Sequence, residues 1–202
     1  MIELWIPITI LAAFSQNLRS ALQKHLKSRL STAGATYVRF FYAVPFAFLY
    51  LFILNQFFYL PLPEPNANFI IFGIIGGGTQ IIATALLVYL FSFRNFAVGT
   101  AYSKTETAQT AVFGLIILGD PLTPGAIIGI MISLVGVMAI STARQENGLK
   151  NIIQSLSQKT ALIGLASGAM FGMSAISYRA ASLSLGGEGV FIQAAYTLAC
   201  VT

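Results

Sequence analysis

The stretch that most restricts what this chain can fold into is residues 99–141, GTAYSKTETAQTAVFGLIILGDPLTPGAIIGIMISLVGVMAIS. It holds two apolar runs, each close to the roughly 20 residues that cross the hydrocarbon core of a bilayer as a helix. Between them stands Leu118-Gly119-Asp120-Pro121-Leu122-Thr123-Pro124. Gly119 suits the left-handed position that ends a helix. Thr123 suits the N-cap of the next helix, and Pro124 its first position. The local chemistry predicts two antiparallel spans joined by a tight turn. The first span also carries Lys104 and Glu106 in mid-run, and an ionisable group inside a spanning helix points to function.

The same pattern recurs along the chain. Apolar runs predict spans over about residues 4–22, 35–54, 68–91, 97–118, 124–143 and 160–183, and a seventh starts near Gly189. That last run reaches Thr202 too soon to cross a bilayer, so the expectation is a chain that stops inside a helix. Of 202 residues, 56% are hydrophobic and 8% charged, whereas soluble domains average about 25% charged. The fold class expected is therefore an all-α polytopic membrane protein with about seven spans. A net charge of +5 would suggest nucleic acid in a soluble chain. Here the basic residues sit in loops and helix ends, so topology accounts for them and no nucleic-acid partner is expected. One cysteine, Cys200, excludes a disulfide framework within the chain.

Several spans carry residues that lipid does not tolerate on an exposed face. In the first, Gln16, Arg19, Gln23 and Lys27 recur at helical spacing on one face. Its start has Glu3 and no basic residue, unlike a cleaved signal. Lys24 and Lys27 suit snorkelling into headgroups, whereas for Gln16 and Arg19 a wet cavity and a headgroup region are both open readings. Arg39 lies one turn inside the second span, which Pro45 is expected to kink. The aromatics crowding that span are read as facing lipid. The third span has Gly73, Gly76, Gly77 and Gly78 for close helix contact and a weak polar stripe of Thr79, Gln80 and Thr84.

In the fourth span Tyr102, Glu106 and Gln109 fall along one face. Lys104 and Glu106 are about 200° apart on a continuous helix, so they do not pair with each other. Two readings stay open for them: a buried clamp to another helix, or a substrate- or proton-binding group. The candidate site residues are accordingly Glu106, Lys104, Arg19, Gln16, Tyr102, Gln109 and Arg39. In the fifth span Gly125, Gly129, Ser133 and Gly136 form a small-residue stripe for helix packing, within the fold or across a homodimer. Gly164, Gly168 and Gly172 repeat the spacing in the sixth.

Residues 20–42 and 174–196 align without a gap at an offset of 154. Ser20/Ser174, Ala21/Ala175, Leu22/Ile176, Ser28/Ser182, Tyr37/Phe191, Val38/Ile192 and Tyr42/Tyr196 match or are similar. A repeat that restarts after five spans places its copies in opposite orientations, the inverted repeat of secondary transporters. The expected organisation is a five-helix repeat over 1–143, a connecting loop over 144–158 that is read as a short surface helix, and the start of a second repeat over 159–202. Lys24, Lys27, Arg29, Arg94, Arg144, Lys150 and Lys159 share one side of the alternating spans, and Glu3, Glu64, Asp120 and Glu188 the other. The positive-inside rule puts the first side in the cytoplasm and the N-terminus outside.

These residues carry a family resemblance. Residues 118–123, LGDPLT, are close to the Leu-Gly-Glu-x-Leu-Thr turn of the drug/metabolite transporter superfamily, EamA type. The glycine-bearing helix ending LVGVMAIS and the segment ATYVRFFYA fit that resemblance. It implies a ten-helix fold of two inverted halves in a bacterial inner membrane. It also implies movement of small polar metabolites, amino acids or drugs, often outward. Where many relatives have a Ser-Pro pair in the fourth span, this chain has Glu106 and Thr107, so a charge replaces a kink. The charge pattern of its loops is also the reverse of many relatives. The expected function is a secondary transporter, with proton coupling at Glu106 and a small-molecule solute as partner. A non-transporting membrane subunit is the alternative. An enzyme is disfavoured: Asp120 and His25 are the sole residues of their types, and no HExxH, Gly-x-Ser-x-Gly or paired-carboxylate pattern occurs. No cofactor or metal is expected.

Overall fold

Capping chemistry and proline set where the helices begin and end. The computed structural model describes residues 5–93, 96–143, 159–187 and 189–202. Helix α1 spans Trp5–Lys27 and runs past the predicted apolar end, because Gln23, Lys24 and Lys27 continue its polar face. The second span is two helices, α2 (Thr32–Phe41) and α3 (Val44–Phe57), with Pro45 in the first turn of α3. The expected kink is there: proline offers no N–H and its ring crowds the carbonyl four residues back. Ser31 caps α2 by accepting from the Gly34 N–H. Asn66 caps α4 (Ala67–Leu90) by accepting from the Phe69 N–H at 2.8 Å.

The fourth span is not one continuous helix. It is α5 (Phe96–Ser103), a break at Lys104 and Thr105, α6 (Glu106–Phe113) and a π turn over Gly114–Leu118. The substitution of a charge for the relatives' Ser-Pro pair led to the expectation of no kink, and that expectation fails. The cause is hydroxyl competition with the ladder. Ser103 Oγ donates to the Thr100 carbonyl at 2.9 Å and Thr105 Oγ1 to the Tyr102 carbonyl at 2.7 Å. The Lys104 and Thr105 N–H groups turn to carbonyls three residues back instead of four. Beyond the π turn, Gly119 adopts φ +70°, the left-handed residue foreseen there. Thr123 accepts from the Ala126 N–H at 3.2 Å, and Pro124 opens α7 (Pro124–Ala143). Helices α8 (Lys159–Ser184) and α9 (Val190–Val201) follow. The expected surface helix over 144–158 and the turn at Arg94 and Asn95 lie outside the described residues.

The molecule is an all-helical polytopic membrane protein. Among the described residues, Thr32–Phe57, Ala67–Leu90 and Lys159–Ser184 are each long and apolar enough to cross a bilayer. Helix α8 is the hub, packed between α4 and the broken α5–α6 helix. Its glycine row makes this possible. A side chain at Gly164 would strike the Gly99 carbonyl, at Gly168 the Ser103 carbonyl, and at Gly172 the Thr110 hydroxyl. The adjacent face hydrogen-bonds to α4: Ser167 Oγ donates to the Ala83 carbonyl and Ser174 Oγ to the Gly76 carbonyl, each at 2.9 Å. Helix α9 packs on α3 through Leu54, Ile192 and Ala195, and α7 packs on α5 and α6. Helix α1 packs lightly on α2 and α4.

Within the fold, two small-residue stripes pack less closely than expected. Gly125, Gly129 and Gly136 on α7 have nothing within 4 Å of a built Cβ, so their stripe makes no tight contact within the described residues. The glycines of α4 behave likewise: Gly76 alone meets α8 closely, against Tyr178 and Ser177, whereas Gly77 and Gly78 face open space. The aromatics of the second span do point outward, with Tyr37, Phe46 and Phe52 each more than half exposed.

Candidate solute site

The polar residues that lipid excludes converge on one cavity of about 500 Å³ near the middle of the spans. Gln16 and Arg19 reach it from α1, Arg39 from α2, Gln80 from α4, Glu106 from α6, and Phe171, Ser174 and Tyr178 from α8. Five helices thus each present a polar or aromatic side chain to a common space.

Arg39 is the most firmly held of the charges. Its guanidinium donates to Thr84 Oγ1. Thr84 is fully buried and fixed in turn, because its hydroxyl donates to the Gln80 carbonyl at 2.8 Å. The guanidinium also lies over the rings of Phe40 at 5.2 Å and Phe171 at 5.6 Å. Cation–π contacts of this kind strengthen where water is scarce. Arg39 therefore ties α2 to both α4 and α8.

Arg19 is held differently. Its Nε is buried without a hydrogen-bond partner, and so are both side-chain polar atoms of Gln23 one turn further along α1. Glu106 stands in the first turn of α6, where the positive end of the helix dipole favours a carboxylate. Its charged neighbours are Lys104, Arg19 and Arg39. None of them comes within 4 Å of it as an ion pair: among the described residues the one ion pair is Arg179 with Asp120.

Four of the seven expected site residues meet in the cavity: Gln16, Arg19, Arg39 and Glu106. Three do not line it. Tyr102 is 2% exposed and packs with Ala161 and Leu165. Gln109 Nε2 donates to Thr105 Oγ1 at 2.8 Å and reaches the Leu165 carbonyl at 3.4 Å, so it braces the broken helix against α8. Lys104 sits at the helix break with its side chain exposed. The break at Lys104 and Thr105 removes the relation that a continuous helix would give Tyr102 and Lys104 to Glu106, whereas Gln109 shares α6 with Glu106 and is turned to Thr105 and α8 by its own hydrogen bonds.

The residues that sequence reading left out come from α8. Phe171, Ser174 and Tyr178 recur at helical spacing beside the glycine row, and that spacing is the signal the sequence holds for them. Gln80 did stand out as part of a weak polar stripe, and its neighbour Thr84 proves to be the residue that fixes Arg39. No cluster of metal-ligating side chains occurs among the described residues.

The arrangement can hold a small solute of mixed polarity away from lipid. Charges of both signs and amide groups line it together with the Phe171 and Tyr178 rings. No curated protein and no solved structure gives a significant match. Residues 3–142, which include α1 through α6 and most of α7, match the EamA-like transporter family. With a match over more than half its length, this chain belongs to the EamA-like transporter family and is an integral, multi-pass membrane protein of the transporter type.

Proposed function

We propose that the cavity is the solute site of a secondary transporter that moves small polar metabolites, amino acids or drugs outward across a bacterial inner membrane. The observation that carries this reading is the convergence of Arg19, Arg39 and Glu106 from three separate spanning elements with no ion pair among them. A structural clamp would bring opposite charges into contact, because burying them unpaired is costly. Groups held apart around a cavity of solute size fit a site that opens and closes around a guest.

Glu106 is the proton site in this reading. It lies at a break in a spanning helix, and discontinuous helices near mid-membrane supply the ion and substrate sites of many carriers. The two halves expected from the repeat at an offset of 154 would rock around this point. The test is solute flux into lipid vesicles, wild type beside Glu106→Gln, with and without a pH gradient, across a panel of amino acids, organic acids and organic cations. Gradient-driven flux that the variant loses while remaining folded supports the carrier and its coupling. Equal flux in both proteins moves coupling away from Glu106. Absence of flux for every solute favours a non-transporting membrane subunit.

A further inference from the structure

We infer that the cavity selects solutes bearing a carboxylate or similar oxyanion. That group is held between Arg19 and the immobilised Arg39, while Glu106 accepts a hydrogen bond from a donor on the same solute. This rests on the cavity being the solute site and goes further in naming the charge of the solute. The first argument is charge balance: two guanidinium groups and one carboxylate line the cavity, so its own side chains leave one positive charge uncompensated. Lys104 at the helix break adds to that sign.

The second argument is the state of each group. Arg39 is spent in part on Thr84 and is stacked on Phe40 and Phe171, which fixes its position. Arg19 has five N–H donors, and no described residue accepts from any of them. A planar guanidinium matches a carboxylate through two parallel hydrogen bonds. A fixed Arg39 facing an uncommitted Arg19 makes a receptor that is preformed on one side and closes from the other.

The third argument is exclusion. A cationic solute meets the excess of positive charge, and a neutral one offers Arg19 a carbonyl or hydroxyl acceptor without the countercharge that strengthens the bond. Glu106 has no hydrogen bond from any described residue, and it adds a demand for a donor, such as a hydroxyl or amide N–H. The Phe171 and Tyr178 rings require part of the solute to be apolar.

The experiment is solute-induced thermal stabilisation of the full chain in lipid nanodiscs, with flux of the same compounds in vesicles. The probes are 3-hydroxybutanoate and N-acetylglycinate, each beside its primary amide, with 4-aminobutan-2-ol as the cation. Carboxylates are expected to stabilise the protein, and the amides and the amine to do so at least about tenfold more weakly, as the loss of a charge-assisted pair implies. Arg19→Gln should weaken carboxylate binding about tenfold or more, and Arg19→Lys should keep part of it as a point charge without the fork. Amides or the amine binding as well as the carboxylates, no carboxylate binding at all, or a folded Arg19→Gln protein that binds carboxylates unchanged would each overturn the inference. Flux of the amine but not the acids overturns the anion site and leaves the carrier standing. Acid binding without any flux does the reverse.

Discussion

Thr84 shows how one buried hydroxyl can set the geometry of a charged site. Its hydrogen is committed to the Gln80 carbonyl, so its lone pairs are turned toward the Arg39 guanidinium. Thr84→Val keeps the shape and removes the acceptor. We expect it to destabilise the protein by about 1–3 kcal/mol, the usual result of leaving a buried charged donor short of a partner. Solute affinity should fall as well, and Thr84→Ser should retain both. Unfolding in detergent and solute binding check this together. A second residue-scale consequence follows from Gly76. A methyl group there meets the ring of Tyr178, which lines the cavity and must shift to admit it. Gly76→Ala should therefore lower flux more than it lowers stability, measured as initial transport rate against unfolding midpoint.

At the scale of elements, glycine rows with the same four-residue spacing have opposite meanings on two helices. On α8 the row lies against the backbone of α5 and α6, and the carbonyls of Gly99 and Ser103 occupy the place where side chains would go. On α7 the row faces open space. Gly164→Ala should cost about 1–3 kcal/mol, the usual penalty for overpacking, whereas Gly129→Ala should change stability by no more than about 0.5 kcal/mol. Parallel unfolding titrations separate the two. The turn after the π segment is joined to the far part of α8 by the bidentate Asp120–Arg179 pair, whose side chains are 34% and 52% exposed. Exposed pairs contribute about 0–1 kcal/mol, so a double-mutant cycle of Asp120→Asn with Arg179→Gln should return a coupling in that range.

For the whole molecule, the first five spans and the two that follow form one packed body because α8 inserts between α4 and the α5–α6 helix. The insertion completes the cavity: α8 contributes Phe171, Ser174 and Tyr178, and α1, α2, α4 and α6 contribute Gln16, Arg19, Arg39, Gln80 and Glu106. The expected orientation in the membrane comes from loop charge, with Lys24, Lys27, Arg29, Arg94, Arg144, Lys150 and Lys159 assigned to one side of the alternating spans. A reporter fused near Lys150 should read as cytoplasmic, and one beside Glu64 as extracytoplasmic; the opposite pair of readings would reverse the assignment.

Much of this architecture was legible along the chain. Span lengths, the Gly119–Thr123–Pro124 turn, the kink at Pro45 and the close approach of Gly164, Gly168 and Gly172 follow from local rules: the reach of a helix across hydrocarbon, the φ that glycine tolerates, the hydrogen that proline lacks. The presence of Arg19, Arg39 and Glu106 in apolar runs was enough to mark them, because lipid makes such charges costly wherever they lie. Which of them meet was a different matter. Helical spacing put Tyr102 and Gln109 on one face with Glu106 and Lys104 away from it, but Ser103 and Thr105 divert the ladder between Tyr102 and Glu106, and Gln109, on the same α6 as Glu106, is drawn to Thr105 and the Leu165 carbonyl instead. Residues that share a cavity across five helices are related by packing alone, and one-dimensional periodicity carries no record of which face of α8 meets which face of α4.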